Sequence, residues 1–231
     1  IAPELYLKRL IVGGYEKVYE IARCFRNEGI DYSHNPEFTQ VEFYWAYSDY
    51  QDLMKFNEKM ISHILTKLSL SPVIKYANQT IDLNPPFERL SFREALIKYA
   101  EIDLDKIKDN QELIKKAKKA GVPVEKGDNR HTIIDNLFKK AIRPNLINPT
   151  FIIDYPVEIS PLSKRKSDNP DYTERFQLII GGLELTNAFS ELNDPLDQKE
   201  RFLAQENLRQ GGDQEAQRLD EDFIEALNYA M

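Results

Sequence analysis

The first quarter of the chain changes from helical to strand periodicity. Apolar positions at helical spacing predict a short helix over 4–11, which Gly13 and Gly14 end. Alternating side chains then predict strands over 18–26 and 41–47. The segment between the two strands is long and polar, so the strands are predicted to pair antiparallel.

The second of these strands has two chemically different faces. Alternation places Val41, Phe43 and Trp45 on one face, and Glu42 and Tyr44 on the other. We expect the apolar face to pack on the core and the other face to present a carboxylate and a phenol.

The remaining pattern predicts a helix-rich middle followed by a second strand pair. Possible capping boxes at Ser48-x-x-Gln51 and Ser91-x-x-Glu94 begin two helices. Further elements are predicted from periodicity and from glycine and proline positions: helices over 110–119, 132–142, 197–209 and 213–229, and strands over 151–153, 176–180 and 183–192, the last two joined at Gly181-Gly182. The predicted fold is α+β, an antiparallel sheet flanked by helices, with core parts 1–85 and 151–231 around a helical insertion, 86–150.

Composition narrows the class of protein. The 231 residues are 42% hydrophobic and 30% charged, which suits a domain with a buried core. No run approaches the ~20 apolar residues of a membrane helix, so no membrane partner is predicted. Cys24 is the only cysteine, which excludes disulfides within the chain and fits a cytoplasmic location.

The net charge of −7 does not indicate nucleic-acid binding. A basic run in the insertion could contact a nucleic acid, but a solvated helix face explains it better. Its lysines are Lys115, Lys116, Lys118 and Lys119.

Several polar residues sit where a solvated surface does not require them. Arg26 is a planar donor for phosphate or carboxylate, and His34 and Phe38 lie in or beside the polar loop. Asn187 and Glu191 share a strand parity. Each residue alone fits an ordinary amphipathic sheet, but together they suggest a site for a nucleotide, a metal and a cation.

Glu184 is out of phase with Asn187 and Glu191. It joins their face only if a bulge or a strand end intervenes.

Four stretches of the sequence resemble one known family. FRNEGIDYSHNPEFTQVEFYWAY (25–47) is similar to motif 2 of class II aminoacyl-tRNA synthetases, in the form seen in lysyl-tRNA synthetases. The lead-in APELYLKRLIVGGYEKVYEIARCFRNEG (2–29), PTFIIDYPVEISPLSK (149–164) and GGLELTNAFSELNDPLDQKERF (181–202) are also similar to lysyl enzymes. The resemblance covers nearly the whole chain and is weakest in the insertion.

The resemblance implies an ATP site in motif 2. Arg26 would bridge the ATP α-phosphate and the amino-acid carboxylate. Glu28 and the neighbourhood of Asn35 would contact the adenine edge. His34 would reach the terminal phosphates, and Phe38 would stack on adenine.

The resemblance also implies a lysine site. Glu4 would hold the α-amino group of lysine, and Asn187 its carboxylate. Tyr44 and Glu191 would receive the ε-ammonium, with Glu42 nearby. An acid-rich pocket agrees with this substrate, because a buried ammonium needs a paired acid, whereas aspartate would need a cationic pocket.

Two departures from the family concern the metal and the phosphates. Glu184 would bind Mg²⁺ together with Gln177, where many family members have a glutamate, and an amide oxygen is an uncharged ligand. Ser33 stands where some relatives have an arginine, which leaves His34 more of the phosphate contact.

The resemblance implies lysyl-adenylate formation from lysine and ATP, followed by transfer to tRNA(Lys) by a full-length homodimer. Motif 1 would precede Ile1 and motif 3 would follow Met231, so we expect an internal part of a catalytic domain. Made alone, these residues are expected to show no lysine-dependent ATP–pyrophosphate exchange. A paralogue that lysylates proteins, and an inactive binding module that kept the fold, are the alternatives.

Overall fold

The computed structural model describes residues 2–27, 29–30, 34–210 and 219–229. Its helices are α1 (Glu4–Val12), α2 (Tyr50–Lys67), α3 (Phe92–Ala100), α4 (Asn110–Lys119), α5 (Arg130–Leu137), α6 (Pro195–Gln210) and α7 (Glu221–Leu227). Its strands are β1 (Lys17–Phe25), β2 (Glu37–Trp45), β3 (Val73–Tyr76), β4 (Gln79–Asp82), β5 (Glu88–Ser91), β6 (Thr150–Pro156), β7 (Tyr172–Ile180) and β8 (Leu183–Phe189).

Two compact units make up the chain. Ile1–Ser48 together with Leu192–Met231 form the hairpin unit, and Asp49–Glu191 form the sheet unit. The predicted three-part division at 1–85, 86–150 and 151–231 stays a prediction.

The hairpin unit is built on the antiparallel pair β1–β2. Nine residues of each strand pair in one unbroken register, from Lys17 opposite Trp45 to Phe25 opposite Glu37. The predicted strand over 41–47 therefore begins four residues earlier, at Glu37. The predicted helix over 213–229 is observed only as α7, Glu221–Leu227; residues 219–220 and 228–229 are not helical, and 213–218 lie outside the described residues.

Contacts between helices hold α1 in the hairpin unit. Arg9 of α1 donates from Nη2 to both carboxylate oxygens of Asp220, at 2.8 and 3.0 Å. Asp220 also caps α7 by accepting from the backbone N–H of Phe223. The side chains of Phe202 and Phe223 pack α6 against α7, with ring centroids 6.4 Å apart.

The sheet unit contains a four-stranded sheet in the order β5-β6-β7-β8. The expected antiparallel arrangement holds for β6–β7 and β7–β8, but β5 runs parallel to β6. The chain can return in the same direction because α3, α4 and α5 lie between β5 and β6 in sequence, and such a crossover is what a parallel pair needs.

Helices cover both faces of this sheet. On one face Phe151, Phe176 and Leu178 pack with Tyr50 and Met54 of α2. On the other face Ile152, Tyr155 and Ile179 join a larger apolar cluster with residues of α3, α4 and α5. The sheet therefore carries buried side chains on both sides.

Of the two predicted capping boxes, the structure confirms one and contradicts the other. The capping box at Ser91 and Glu94 is confirmed, with both reciprocal hydrogen bonds present at the start of α3. The proposed box at Ser48 and Gln51 is wrong, because the side chain of Asp49 caps α2 by accepting from the N–H groups of Gln51 and Asp52. The N-cap is therefore an aspartate one residue later, whose carboxylate accepts from two of the first backbone N–H groups of the helix.

Within the described ranges, none of the helices has the length and apolar character needed to cross a membrane.

Candidate functional site

The polar face of the β1–β2 hairpin carries most of the motif 2 residues that the structure describes. Arg26 extends the strand pairing by donating its backbone N–H to Pro36 O at 2.9 Å. Its guanidinium carbon lies 5.0 Å from the centre of the Phe38 ring, within cation–π range. Arg26 and Phe38 are therefore neighbours on this face.

The predicted environment of the hairpin's apolar face is wrong. Val41 and Trp45 are exposed, and across β1 the side chains of Tyr19 and Ile21 are 74% and 69% exposed. The opposite face is the covered one, since Cys24 on it is buried. Alternation shows which residues share a face, but it does not show which face a helix covers.

Helix α1 covers the polar face and brings a cluster of charges onto it. Lys8 donates from Nζ to Glu4 Oε1 at 2.6 Å, one helical turn away. The same Nζ lies 5.9 Å from the centre of the Tyr44 ring. Tyr44 in turn donates its hydroxyl to Glu42 Oε2 at 3.2 Å, and Gln40 donates to Glu42 Oε1 at 2.8 Å. We call Glu4, Lys8, Glu42 and Tyr44 the acid cluster.

Within the acid cluster, the pKa of the Glu42 carboxyl is raised above its ordinary value. Burial is the largest cause, and the neighbouring charge of Glu4 adds to it. The hydrogen bond from Tyr44 and the charges of Lys8 and Arg26 oppose the rise. Two acids close together therefore share this face with two cations.

Four loop positions complete the motif 2 set. His34 and Asn35 are exposed at the end of the loop, just before β2. Glu28 and Ser33 lie outside the described residues. The predicted roles of Glu28, His34 and Asn35 in nucleotide binding, and the predicted effect of Ser33 on the phosphate contact, stay predictions.

In the sheet unit, a register shift between β7 and β8 brings Glu184 into phase. Gln177 pairs with Asn187 and Leu178 with Thr186, but Ile179 pairs with Glu184, so Leu185 is the extra residue. Glu184 therefore lies on the same sheet face as Gln177 and Asn187. This is the bulge that the sequence required for Glu184 to join them.

The turn before Glu184 depends on its two glycines. Gly181 and Gly182 have φ values of +59° and +76°. A Cβ on Gly181 would lie 3.1 Å from the side chain of Ile81, and one on Gly182 would lie 3.5 Å from Arg143 O. The left-handed backbone favours glycine at both positions, and at Gly181 the close approach of Ile81 adds to this preference.

Gln177 is buried, with 7% of its surface exposed, and its amide oxygen is engaged. Tyr155 donates its hydroxyl to Gln177 Oε1 at 2.8 Å. Burial raises the pKa of the Tyr155 hydroxyl well above its usual value, so it stays a donor. An amide oxygen has a second lone pair, and only that one is left for any metal.

Asn187 is oriented by a neighbouring arginine. Arg175 donates from Nε to Asn187 Oδ1 at 3.0 Å and from Nη1 to Ile159 O and Ser160 Oγ, at 2.6 and 3.1 Å. With the amide oxygen held this way, the NH₂ group of Asn187 is the part left to donate to a ligand.

Glu184 is the carboxylate on this face that best suits a metal. Desolvation by the surrounding protein raises its pKa although the side chain keeps contact with solvent, while Arg175, Arg143 and Lys139 lower it. Among the described residues, no group of three or more His, Cys, Asp or Glu side chains is arranged to hold a metal ion. Mg²⁺ commonly takes one or two carboxylates and completes its shell with substrate phosphates, so one glutamate fits that kind of ion.

Glu191 lies beyond the end of β8, and the predicted strand over 183–192 is therefore too long. It forms an isolated antiparallel bridge with Ser163. Glu191 is half-buried and adjoins Ser190, whose hydroxyl accepts from the N–H of Tyr50 at 3.0 Å. Its predicted contact with the ε-ammonium of lysine stays a prediction.

The sequence did not predict three side chains that form hydrogen bonds with predicted site residues. Lys8, Tyr155 and Arg175 contact Glu4, Gln177 and Asn187, respectively. The i,i+4 spacing of Glu4 and Lys8 was a usable signal for the first. The contact of Tyr155 with Gln177 joins β6 to β7 across 22 residues of sequence, and that of Arg175 with Asn187 joins β7 to β8 across 12. Local spacing gives no signal for either.

Comparisons with known proteins agree on one family. The model described as "tRNA synthetases class II (D, K and N)" matches residues 1–231. A lysine–tRNA ligase of Carboxydothermus hydrogenoformans is 53% identical over 231 residues, which is 100% of this chain and 47% of that protein. The lysine–tRNA ligase of Campylobacter jejuni strain RM1221 is 50% identical over the same length, 46% of that protein. One of Pelotomaculum thermopropionicum is 51% identical over 233 residues, again 46% of its length.

Proposed function

The chain belongs to the class II tRNA synthetase family of D, K and N enzymes, and from that membership we propose that it is part of a lysine–tRNA ligase catalytic domain. It spans about half the length of the relatives it matches, at 46–47%. The proposed activity is therefore that of the complete protein. That protein would join lysine and ATP into lysyl-adenylate with release of pyrophosphate, and then transfer lysine to the 3′ end of tRNA(Lys).

The acid cluster is the observation that carries the choice of lysine. Glu4 and Glu42 lie on a face that is partly desolvated, where a carboxylate pair without enough positive charge is unfavourable. An incoming ammonium group would supply that charge. Aspartate, with its second carboxylate, would be repelled by the same groups, and the side chain of asparagine would bring no positive charge to them.

Formation of lysyl-adenylate depends mainly on aligning the lysine carboxylate with the α-phosphate of ATP. The carboxylate of lysine is ionised before it attacks the α-phosphorus, so the step needs no general base. Arg26 can engage a carboxylate and a phosphate through its fork of donors, and Phe38 beside it offers a ring for adenine. Such fixed donors reduce the reorganisation that the reaction needs.

In the sheet unit, Asn187 offers its NH₂ group to the lysine carboxylate and Glu184 offers a carboxylate to Mg²⁺. When bound, Mg²⁺ supplies charge neutralisation of the ATP phosphates. Gln177 contributes no negative charge to that ion, so Glu184 and the phosphates would hold it.

The experiment is an ATP–pyrophosphate exchange assay on the complete protein with lysine, aspartate or asparagine. We expect exchange with lysine and background rates with the other two. Exchange that depends on aspartate or asparagine instead would overturn the proposal.

The same assay separates the alternatives. Exchange without tRNA charging, but with lysine transfer to a protein acceptor, would identify a protein-lysylating paralogue. ATP binding by calorimetry without exchange would identify an inactive module. A cytoplasmic location and a homodimer are part of the proposal, and sedimentation of the complete protein tests the dimer.

A further inference from the structure

A lysine side chain is fully buried next to the acids that the proposed function uses. Lys8 is 1% exposed, although it stands on a helix of only nine residues near the start of the chain. Burying an ammonium costs several kcal/mol unless an acid pairs with it. Its contact with Glu4 Oε1, at 2.6 Å, meets that requirement.

Lys8 interacts with both acids of the cluster. It donates a hydrogen bond to Glu4. Its charge also lowers the pKa of Glu42, whereas burial and the charge of Glu4 raise that pKa. It also lies 5.9 Å from the ring of Tyr44, whose hydroxyl donates to Glu42. Glu42 also accepts a hydrogen bond from the neutral donor Gln40 and is influenced by the charge of Arg26.

We propose that Lys8 is a positioning residue for amino-acid recognition, whose buried ammonium fixes the Glu4 carboxylate and offsets one of the two negative charges of Glu4 and Glu42. This inference rests on the proposed function, in which these acids bind the amino groups of lysine. Two carboxylates and one ammonium leave one net negative charge in the acid cluster. That charge is available to an incoming ammonium group.

Electrostatics predicts how the site would change if the Lys8 ammonium were removed. Two carboxylates that lie close together in a partly desolvated site tend to share a proton, and a protonated acid no longer attracts an ammonium. Glu4 would also lose the i,i+4 partner that restrains its side chain. Both effects weaken lysine binding and leave ATP binding nearly unchanged.

The test uses the complete protein and the variants Lys8→Met and Lys8→Gln. Methionine keeps the length without charge or donor, whereas glutamine can still donate to Glu4 but carries no charge. In pyrophosphate exchange near pH 7.5, we expect both to raise the KM for lysine at least tenfold and to change the KM for ATP less than twofold.

Arg9→Met is the matched control. It removes a cation from the same helix, but Arg9 pairs with Asp220 and not with the acid cluster. We expect its KM for lysine to stay within twofold of the parent value, whatever it does to thermal stability. An unchanged or lower KM for lysine in both Lys8 variants would overturn the inference, and so would equal increases for lysine and ATP.

A double-mutant cycle keeps the test decisive if Lys8→Met folds poorly. Calorimetry of lysine binding would compare Glu4→Gln, Lys8→Gln and the double variant. If Lys8 acts through Glu4, removing Lys8 should cost much less once Glu4 is glutamine. Additive losses would overturn the inference. If Glu4→Gln and Glu42→Gln both bind lysine normally, the proposed function fails at these residues, which is a separate outcome.

Discussion

Glu42 on β2 and Glu184 on β8 are two strand carboxylates with different charged neighbours. The pKa of each is raised, chiefly by burial. The next cause for Glu42 is a second acid, Glu4, whereas the next causes for Glu184 are the cations Arg175, Arg143 and Lys139, which lower its pKa.

This difference shows why residue type alone does not assign a role. The acid cluster contains two carboxylates and one ammonium and so carries one net negative charge, which suits an ammonium ligand. The surroundings of Glu184 already contain positive charge, which suits anionic phosphates that arrive with a metal ion. The following tests would break or sharpen that contrast.

The largest effect is expected at Arg26, one of the two cations on the polar face of the hairpin. In the complete protein, Arg26→Ala should lower lysine-dependent pyrophosphate exchange by orders of magnitude. Arg26→Lys should restore little, because one ammonium cannot engage two oxygen groups in a planar fork. Steady-state exchange rates with saturating lysine and ATP measure this.

Arg23→Ala is the control for Arg26. It removes the same side chain from the opposite face of β1, where an exposed Arg23 pairs with Glu37 at 3.3 Å. Such surface pairs contribute little, so its exchange rate should stay near that of the parent. An Arg26→Lys variant with more than about half of the parent rate would contradict the bidentate role.

Exchanging each glutamate for glutamine tests the contrast directly. Glu42→Gln should raise the KM for lysine by about one to two orders of magnitude, corresponding to the ~1.5–3 kcal/mol of a hydrogen bond to a charged group. Glu184→Gln should instead raise the Mg²⁺ concentration for half-maximal exchange. Each variant is the control for the other, and the same response from both would remove the distinction.

A smaller effect is expected at Gln177. Gln177→Glu adds a negative ligand next to Glu184 on the same face and should lower the Mg²⁺ concentration for half-maximal exchange. Tyr155→Phe, which releases the Gln177 oxygen without adding charge, should move the Mg²⁺ titration less. If neither titration moves, Gln177 does not contact the ion.

The smallest effect is a pH dependence of lysine binding. Because the pKa of Glu42 lies above the ordinary 4.5, Glu42 loses its charge at a higher pH than a free glutamate does. Lysine affinity should therefore fall as the pH decreases towards and below that raised pKa, and level off above it. Calorimetry of the complete protein between pH 5 and about 8 measures this.

Glu42→Gln should flatten that dependence, whereas Glu37→Gln, on the opposite face of β2, should leave it unchanged. A parent protein whose lysine affinity does not vary over this range would show that Glu42 is not the titrating group. Lys8, Arg26, Glu4 and Tyr44 all influence its charge, so the Glu37→Gln control is essential.

Local pattern predicted much of the fold. The helix over 4–11, the strand over 18–26, the helix over 110–119 and the turn at Gly181-Gly182 are observed within one or two residues. The need for a bulge before Glu184 was also visible, because strand side chains alternate with a period of two. These features depend on neighbours a few residues apart in the chain.

Other features depend on contacts that the pattern does not contain. Periodicity could not show that α1 covers the polar face of the hairpin, that β5 runs parallel to β6, or that Tyr155 holds Gln177. Each is a packing choice between distant segments, and its energy depends on what surrounds both partners.

The sequence by itself determined the family, the elements and the residue types of the candidate site, because motif, alternation and turn chemistry are local properties. Only the tertiary structure decided which face of the hairpin is covered and which charges meet there. Burial and neighbouring charge act through space. They make Glu42 part of an acid pair around Lys8 and place Glu184 among cations, although the sequence presents both as glutamates on strands.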